Sequence, residues 1–416
     1  MQLCPSKLIV KQTIPSMPRI PRTVWALGFV SMFMDVSSEI IHALLPLFLT
    51  TTLGVSVAMV GLIDGVAEAT ASITKVFSGY ISDRIGKRKP LILIGYSLGA
   101  LSKPLFALAG TASVILGARF ADRIGKGLRG APRDALVADV TPPEIRGRAF
   151  GLRQSLDTIG AFAGPLIAIG LMVLFADDIR MVFWVAIIPA LIAVALVLFG
   201  VEDAVSANGG AEVRVPIRMV DIRRLPHPFW VLAVIGAVFS LARFSEAFLI
   251  LKANAEGLPL ALAPLVLVAM NLVYATGAYP LGILSDRVSS RMLLIWGLFC
   301  LICADLALAV LPGVAGAFVG IVLWGLHMAL TQGLFAKLVA DRSPAELRGS
   351  AYGLFNLAGG LALLAASVIA GLLWDAVGSS GTFLAGAAFS VLALVGIFVA
   401  VKREQSPESL PDTTPA

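Results

Sequence analysis

The chain has 416 residues, of which 58% are hydrophobic and 14% charged, and a formal net charge of +6. A soluble domain is about 45–50% apolar and about 25% charged, so this excess has no place in an aqueous-facing fold and a soluble enzyme is excluded. The basic residues sit in short connections between apolar runs, a membrane-orientation pattern rather than a nucleic-acid surface.

Residues 1–23 carry Lys7, Lys11, Arg19, Arg22 and four prolines. They lack the apolar core and cleavage site of a signal peptide and read as a cytoplasmic tail. A membrane helix needs about 20 mostly apolar residues. Such runs fall at 24–49, 57–81, 90–109, 112–139, 147–175 and 181–200, giving a first six-helix bundle over 24–200. A polar linker at 201–227 follows. Runs at 228–251, 260–284, 291–311, 313–339, 349–374 and 381–401 then form a second bundle over 228–401, before a tail at 402–416. The expected fold is therefore an all-α membrane protein of twelve transmembrane helices in two pseudo-symmetric bundles.

Lys and Arg follow the second, fourth, eighth, tenth and last runs and fill the linker, while connections such as 50–56 are bare; Arg180 and Lys252 are the exceptions. Both termini are expected on the cytoplasmic side of an inner membrane. Cys300 and Cys303 lie inside an apolar run with no second pair to complete a zinc site. They read as small packing residues, and no cofactor or metal is expected.

Two motifs recur. Gly79-Tyr-Ile-Ser-Asp83-Arg84-Ile-Gly86-Lys-Arg88 returns as Gly282-Ile-Leu-Ser-Asp286-Arg287-Val-Ser-Ser-Arg291, an offset of 203 residues (282 − 79). Asp139-Val-Thr-Pro-Pro-Glu144-Ile-Arg146 returns as Asp341-Arg-Ser-Pro-Ala-Glu346-Leu-Arg348, an offset of 202 (341 − 139). The two halves are thus a repeat. The first motif, placed between the second and third spans, resembles the signature loop of the major facilitator superfamily (MFS), and the likeness covers about 24–401. The resemblance implies parallel halves around a central cavity and alternating access by rocking. It also implies a latch, with Asp83 and Asp286 capping helix N-termini and pairing with Arg146 or Arg348.

In the fifth span, Gly160-Ala-Phe-Ala-Gly164-Pro165 resembles the Gly-x-x-x-Gly-Pro motif of the family's antiporters, and at the repeat offset the eleventh span lacks the glycines and proline. The motif implies a proton-coupled exporter of a small organic molecule. The alternative is a proton-coupled importer of an organic anion such as a carboxylate or phosphorylated metabolite. A monomer acting on a small molecule and protons in the lipid bilayer, without nucleic acid, is expected.

Ionisable residues inside spans are functional candidates by default. The first span holds Asp35, Glu39 and His42 on one face, the second Asp64 and Glu68, and the fifth Asp157. Asp35, Glu39 and Glu68 are the leading proton-coupling candidates, with Asp64 and Asp157 behind them. In the fourth span Arg119, Arg123, Lys126 and Arg133 form a basic stripe, with Gly125, Gly127 and Gly130 expected to allow close helix approach. Arg123-Ile-Gly-Lys126-Gly127 resembles the family motif Arg-x-x-Gln-Gly, with Lys126 replacing glutamine. Lys126 either attracts an anionic substrate or neutralises Glu39, Asp64 or Glu68. In the second half the cavity candidates are Arg243, Glu246, Asn271, His327, Gln332 and Asn356, with Arg243 and Glu246 one turn apart and able to pair.

Overall fold

The computed structural model describes residues 19–85, 87–203, 224–331, 334–344 and 347–405. Every regular element among them is helical, as expected for apolar chain in lipid, where each backbone group must be satisfied within its own segment. Before the linker lie α1 (Arg22–His42), α2 (Val57–Ile85), α3 (Lys89–Leu108), α4 (Ala112–Val140), α5 (Arg146–Leu174), α6 (Ile179–Val185) and α7 (Ile187–Gly200). After it lie α8 (His227–Ala242), α9 (Ala247–Ala255), α10 (Leu265–Arg287), α11 (Ser290–Val310), α12 (Gly313–Thr331), α13 (Leu334–Asp341) and α14 (Arg348–Gln405). Most of the linker, 204–223, lies outside the described residues.

Among the described residues, ten helical stretches are long and apolar enough to cross a bilayer. Two features separate this number from the twelve expected runs. The 29-residue α4 has the length but carries the densest charge of the chain. The 58-residue α14 runs through two expected spans and is interrupted at Gly378, whose φ of 83° and ψ of 178° are open to glycine at little cost. The seventh run also departs from expectation, since helix is lost over 243–246, between α8 and α9.

The packing differs between the two ends of the bundle. Near the connection at 50–56 a single apolar core joins both parts of the chain. Phe48, Ile63, Phe106 and Phe183 share it with Phe244, Phe248, Trp324 and Phe383. At the opposite end the cores are separate, one around Tyr96 and Leu136, the others around Leu294 and Phe229.

The joined end is held by α2 lying along α14. Gly61 packs directly on the Ser367 carbonyl, and a Cβ on Gly65 would stand 2.8 Å from Leu364 Cδ1. The Asp375 carboxylate accepts hydrogen bonds from the Val57 and Ala58 amides at 3.1 and 3.0 Å, capping α2 from the other half.

Candidate functional site

Charge is paired in register between α2 and α4. Asp64 and Glu68 are one turn apart on α2, and Arg119 and Arg123 one turn apart on α4. Asp64 Oδ1 lies 3.1 Å from Arg119 Nη2, and Glu68 Oε1 lies 3.2 Å from Arg123 Nη2. Lys103 of α3 pairs with Asp122 at 2.9 Å and donates to Ser38 Oγ of α1 at 3.0 Å. Arg129 stacks over the Tyr96 ring, 4.6 Å from its centroid.

Glycine makes part of this closeness possible. A Cβ on Gly125 would stand 2.6 Å from the Gly95 carbonyl, and one on Gly127 2.5 Å from Thr74 Cβ. Gly130 instead faces open space, so the third glycine of the expected set does not serve helix approach.

Lys126 differs from its neighbours. Its side chain is exposed and, among the described residues, makes no ion pair within 4.0 Å. It faces Asp35, Glu39 and Glu68 at longer range. Of these, Glu39 touches His42 Nδ1 at 3.4 Å.

Asp35 of α1 and Asp157 of α5 come within hydrogen-bonding reach of each other. Two carboxylates this close repel each other unless a proton or a cation lies between them. Arg133 and Arg153 approach Asp157 at 4.0 and 3.7 Å, and both also approach Asp134, at 3.2 and 3.7 Å. The Gly-x-x-x-Gly-Pro segment is the surface on which these acids rest. Gly160 packs on the Met32 backbone, with its Cβ direction 3.1 Å from Asp35 Cβ, and a Cβ on Gly164 would stand 2.7 Å from Glu39 Cβ. Pro165 is buried inside α5, just past this contact.

In the second half, Arg243 and Glu246 fall on the unwound stretch after α8, and no ion pair joins them. The loss of helix removes the one-turn spacing on which their pairing was expected. The residue between them that bonds across the halves is Ser245. Its hydroxyl donates to Asp64 Oδ2 at 2.7 Å, and its amide donates to Ser367 Oγ at 3.2 Å. Sequence reasoning gave Ser245 no role; in the first half another serine, Ser38, likewise bonds a charged group, accepting from Lys103.

Asn271 and Tyr274 of α10 line a cavity shared with Asp157, Gln154 and Phe162 of α5. Tyr274 was not anticipated. His327 is fully buried inside the second half, its Nδ1 2.8 Å from the Gly297 carbonyl and its ring stacked on Phe239. Asn356 is exposed, and Gln332 lies outside the described residues.

Of the switch motifs, Gly86 and Glu346 lie outside the described residues, as do the side chains of Asp83, Arg84, Asp286, Arg287 and Arg348 and the surroundings of Gly282. Gly79 meets Ala131 of α4 at ordinary contact distance. Arg88 reaches Asp139 at 3.3 Å and Ser82 Oγ at 2.7 Å. Arg146 donates to the Thr141 carbonyl at 3.3 Å, and Glu144 is exposed on the adjoining turn. The α3 N-terminus is capped by Asp203, which accepts from the Arg88 and Lys89 amides at 3.0 and 2.7 Å. Ser289 caps α11.

The family model of the Major Facilitator Superfamily matches residues 27–367 and 257–416. An uncharacterized MFS-type transporter of Methanocaldococcus jannaschii is 31% identical over 90% of this chain and 93% of its own length. The multidrug resistance protein MdtH of Proteus mirabilis is 31% identical, over 37% of this chain and 38% of its own. The crystal structure of a bacterial homolog of the human lysosomal transporter Spinster, inward-facing and unoccupied, superposes with a TM-score of 0.76. It has 17% identity and covers 95% of this chain and 100% of that one.

Proposed function

Because the chain belongs to the Major Facilitator Superfamily and is thus a membrane transporter, we propose that it exports a small organic molecule in exchange for protons. In this reading 24–200 and 228–401 are the two bundles, both termini are cytoplasmic, and the monomer works by rocking the bundles about the cavity. The Lys/Arg pattern assigns the end with separate cores to the cytoplasm, so the conformation is open inward.

The observation that carries proton coupling is the Asp35–Asp157 contact on the glycine surface of α5. In this reading the two acids form the proton site, and because α1 and α5 belong to the same bundle, rocking changes what the site faces rather than the contact itself. The antiporter-like motif and the partial likeness to MdtH support the outward direction.

Inverted and right-side-out vesicles with an imposed pH gradient, offered amphipathic amines, neutral amphiphiles and carboxylates, test this. Accumulation in inverted vesicles driven by an acidic lumen is expected. Accumulation only in right-side-out vesicles would overturn export.

One observation favours the importer of an organic anion, namely the exposed Lys126 with no ion pair. On that reading Lys126→Gln removes carboxylate transport and leaves amine transport untouched, whereas unchanged carboxylate uptake would dispose of it.

A further inference from the structure

Asp305 of α11 is an acid without a partner. It stands between Ala304 and Leu308 of the core that joins the two parts of the chain, and it is 0% exposed. Neither carboxylate oxygen has a hydrogen-bond donor, and among the described residues no cation lies within 4.0 Å of it. What flanks it is carbon. A Cβ on Gly386 of α14 would stand 2.8 Å from Asp305 Oδ2 and 2.9 Å from Phe244 Cε1, so the carboxylate and the edge of the ring meet over one glycine. Phe244 belongs to the unwound stretch between α8 and α9 and is itself buried. Its ring centroid lies 5.5 Å from that of Trp324 and 5.6 Å from that of Phe383.

The elements around Asp305 carry Arg243 and Glu246 in the unwound stretch, His327 on α12, Asp375 on α14 and the thiols of Cys300 and Cys303 on α11, and none of them bonds to it. Asp375 is engaged by the α2 amides and His327 by the Gly297 carbonyl. An ionised carboxylate here would keep its full desolvation cost with nothing to offset it, so the form that can be buried is the neutral acid. A hard metal ion takes about six oxygens, which ring and glycine carbons do not supply.

The cover over this acid is tied to the other half of the molecule. Ser245, next to Phe244, donates to Asp64 of α2 at 2.7 Å. Phe248, whose ring centroid is 5.3 Å from that of Phe244, packs on Gly61 of α2, where a Cβ would stand 3.2 Å from its Cζ. Separation of the halves at this end removes both ties.

We propose that Asp305 is a proton-binding site of the second bundle, covered by Phe244 while the joined end is shut and opened to the outer medium when α2 withdraws. Rocking leaves Asp305 and Phe244 in one bundle, but it frees the unwound stretch from Asp64 and Gly61, and water then reaches the carboxyl. In the open state Asp305 gives its proton to that water, and closure takes a proton back from the same side. The shut state thus holds one proton more than the open state, so acid favours shutting and alkali favours opening. The site stands apart from the Asp35–Asp157 reading, because lost coupling in Asp35→Asn would leave it intact.

The test uses the full chain in phosphatidylcholine nanodiscs, with its own cysteines replaced by serine. Spin labels on cysteines placed at Thr51, before α2, and at Leu262, before α10, report opening from the distance between them, and both positions are exposed. The ratio of open to shut molecules is expected to rise with pH, by up to about tenfold per pH unit. Asp305→Asn cannot ionise and should stay shut in acid and alkaline buffers alike, whereas Asp35→Asn should keep the dependence. A wild-type ratio that ignores pH, or a dependence that Asp305→Asn leaves unchanged, would overturn the site. Exchanging choline for sodium at fixed pH should change nothing. Shutting by sodium in wild type but not in Asp305→Asn would assign a metal ion and overturn the proton.

If Asp305→Asn fails to insert, Phe244→Ala keeps the acid and removes its cover. Dicyclohexylcarbodiimide, an apolar reagent for protonated carboxyl groups, should then modify Asp305 several-fold faster than in wild type, as read by peptide mass. Equal rates would overturn the proposal.

Discussion

Arg119 and Arg123 are buried and each is matched by one carboxylate of α2, an arrangement whose value shows when half of it is removed. Breaking a buried pair leaves a bare charge and costs about 3–5 kcal/mol. Arg119→Leu should therefore lower thermal stability sharply, while adding Asp64→Leu should recover most of the loss; a double variant no more stable than the single would contradict the pairing. Lys126→Gln, at a position with no ion pair, should leave the unfolding temperature unchanged and act on substrate choice alone. The candidates Asp64, Glu68, Arg119 and Arg123 were legible in the sequence because charges in apolar runs stand out. Which cation was left over was not, since Lys126 and Arg123 look alike on the helical stripe and only distance separates them. Ser245 and Tyr274 were missed because an uncharged hydroxyl in a span is common and bears no mark of its partner.

Helices α1 and α5 are held together at Gly160 and Gly164, and here the motif in the sequence and the packing agree on location. A methyl on Gly164 would meet the Glu39 Cβ at 2.7 Å, so Gly164→Ala should cost about 1–3 kcal/mol and shift the Asp35–Asp157 contact, measured as lost stability together with lost proton-driven transport. If Gly164→Ala keeps full transport, the glycine surface does not set the acid pair. The break between α8 and α9 was not legible. The apolar run at 228–251 continues through it, and hydropathy is blind to whether backbone is wound or unwound. A smaller device sits at the end of α9, where Glu256 accepts from Lys252 and from the Gly313 amide, and these bonds hold its carboxyl below the usual glutamate range. Its contribution to stability is present above the ordinary glutamate pKa and is lost as pH falls through the lowered one. Glu256→Gln should therefore narrow the gap in unfolding temperature between neutral and acidic solution, and an unaltered gap would show that this tie is not used.

Over the whole molecule, the repeat offsets of 202 and 203 point to two related halves. The end at which they close on each other could not be foreseen, because the recurring loop motifs mark one end while the shared core and the α2–α14 contact form the other. Val57→Cys with Asp375→Cys, joined by a short thiol crosslinker, should hold that end shut and stop transport until the link is cleaved. Ser245→Ala, which removes the bond to Asp64, should speed opening of the same end, seen as faster labelling of single cysteines placed there. The central claim is that a proton shared by Asp35 and Asp157 is exchanged for substrate. The most direct measurement compares gradient-driven transport with gradient-free substrate exchange in proteoliposomes holding wild type, Asp35→Asn or Asp157→Asn. The account predicts that each variant loses gradient-driven transport while keeping gradient-free exchange. Gradient-driven transport at the wild-type rate in both variants would contradict it.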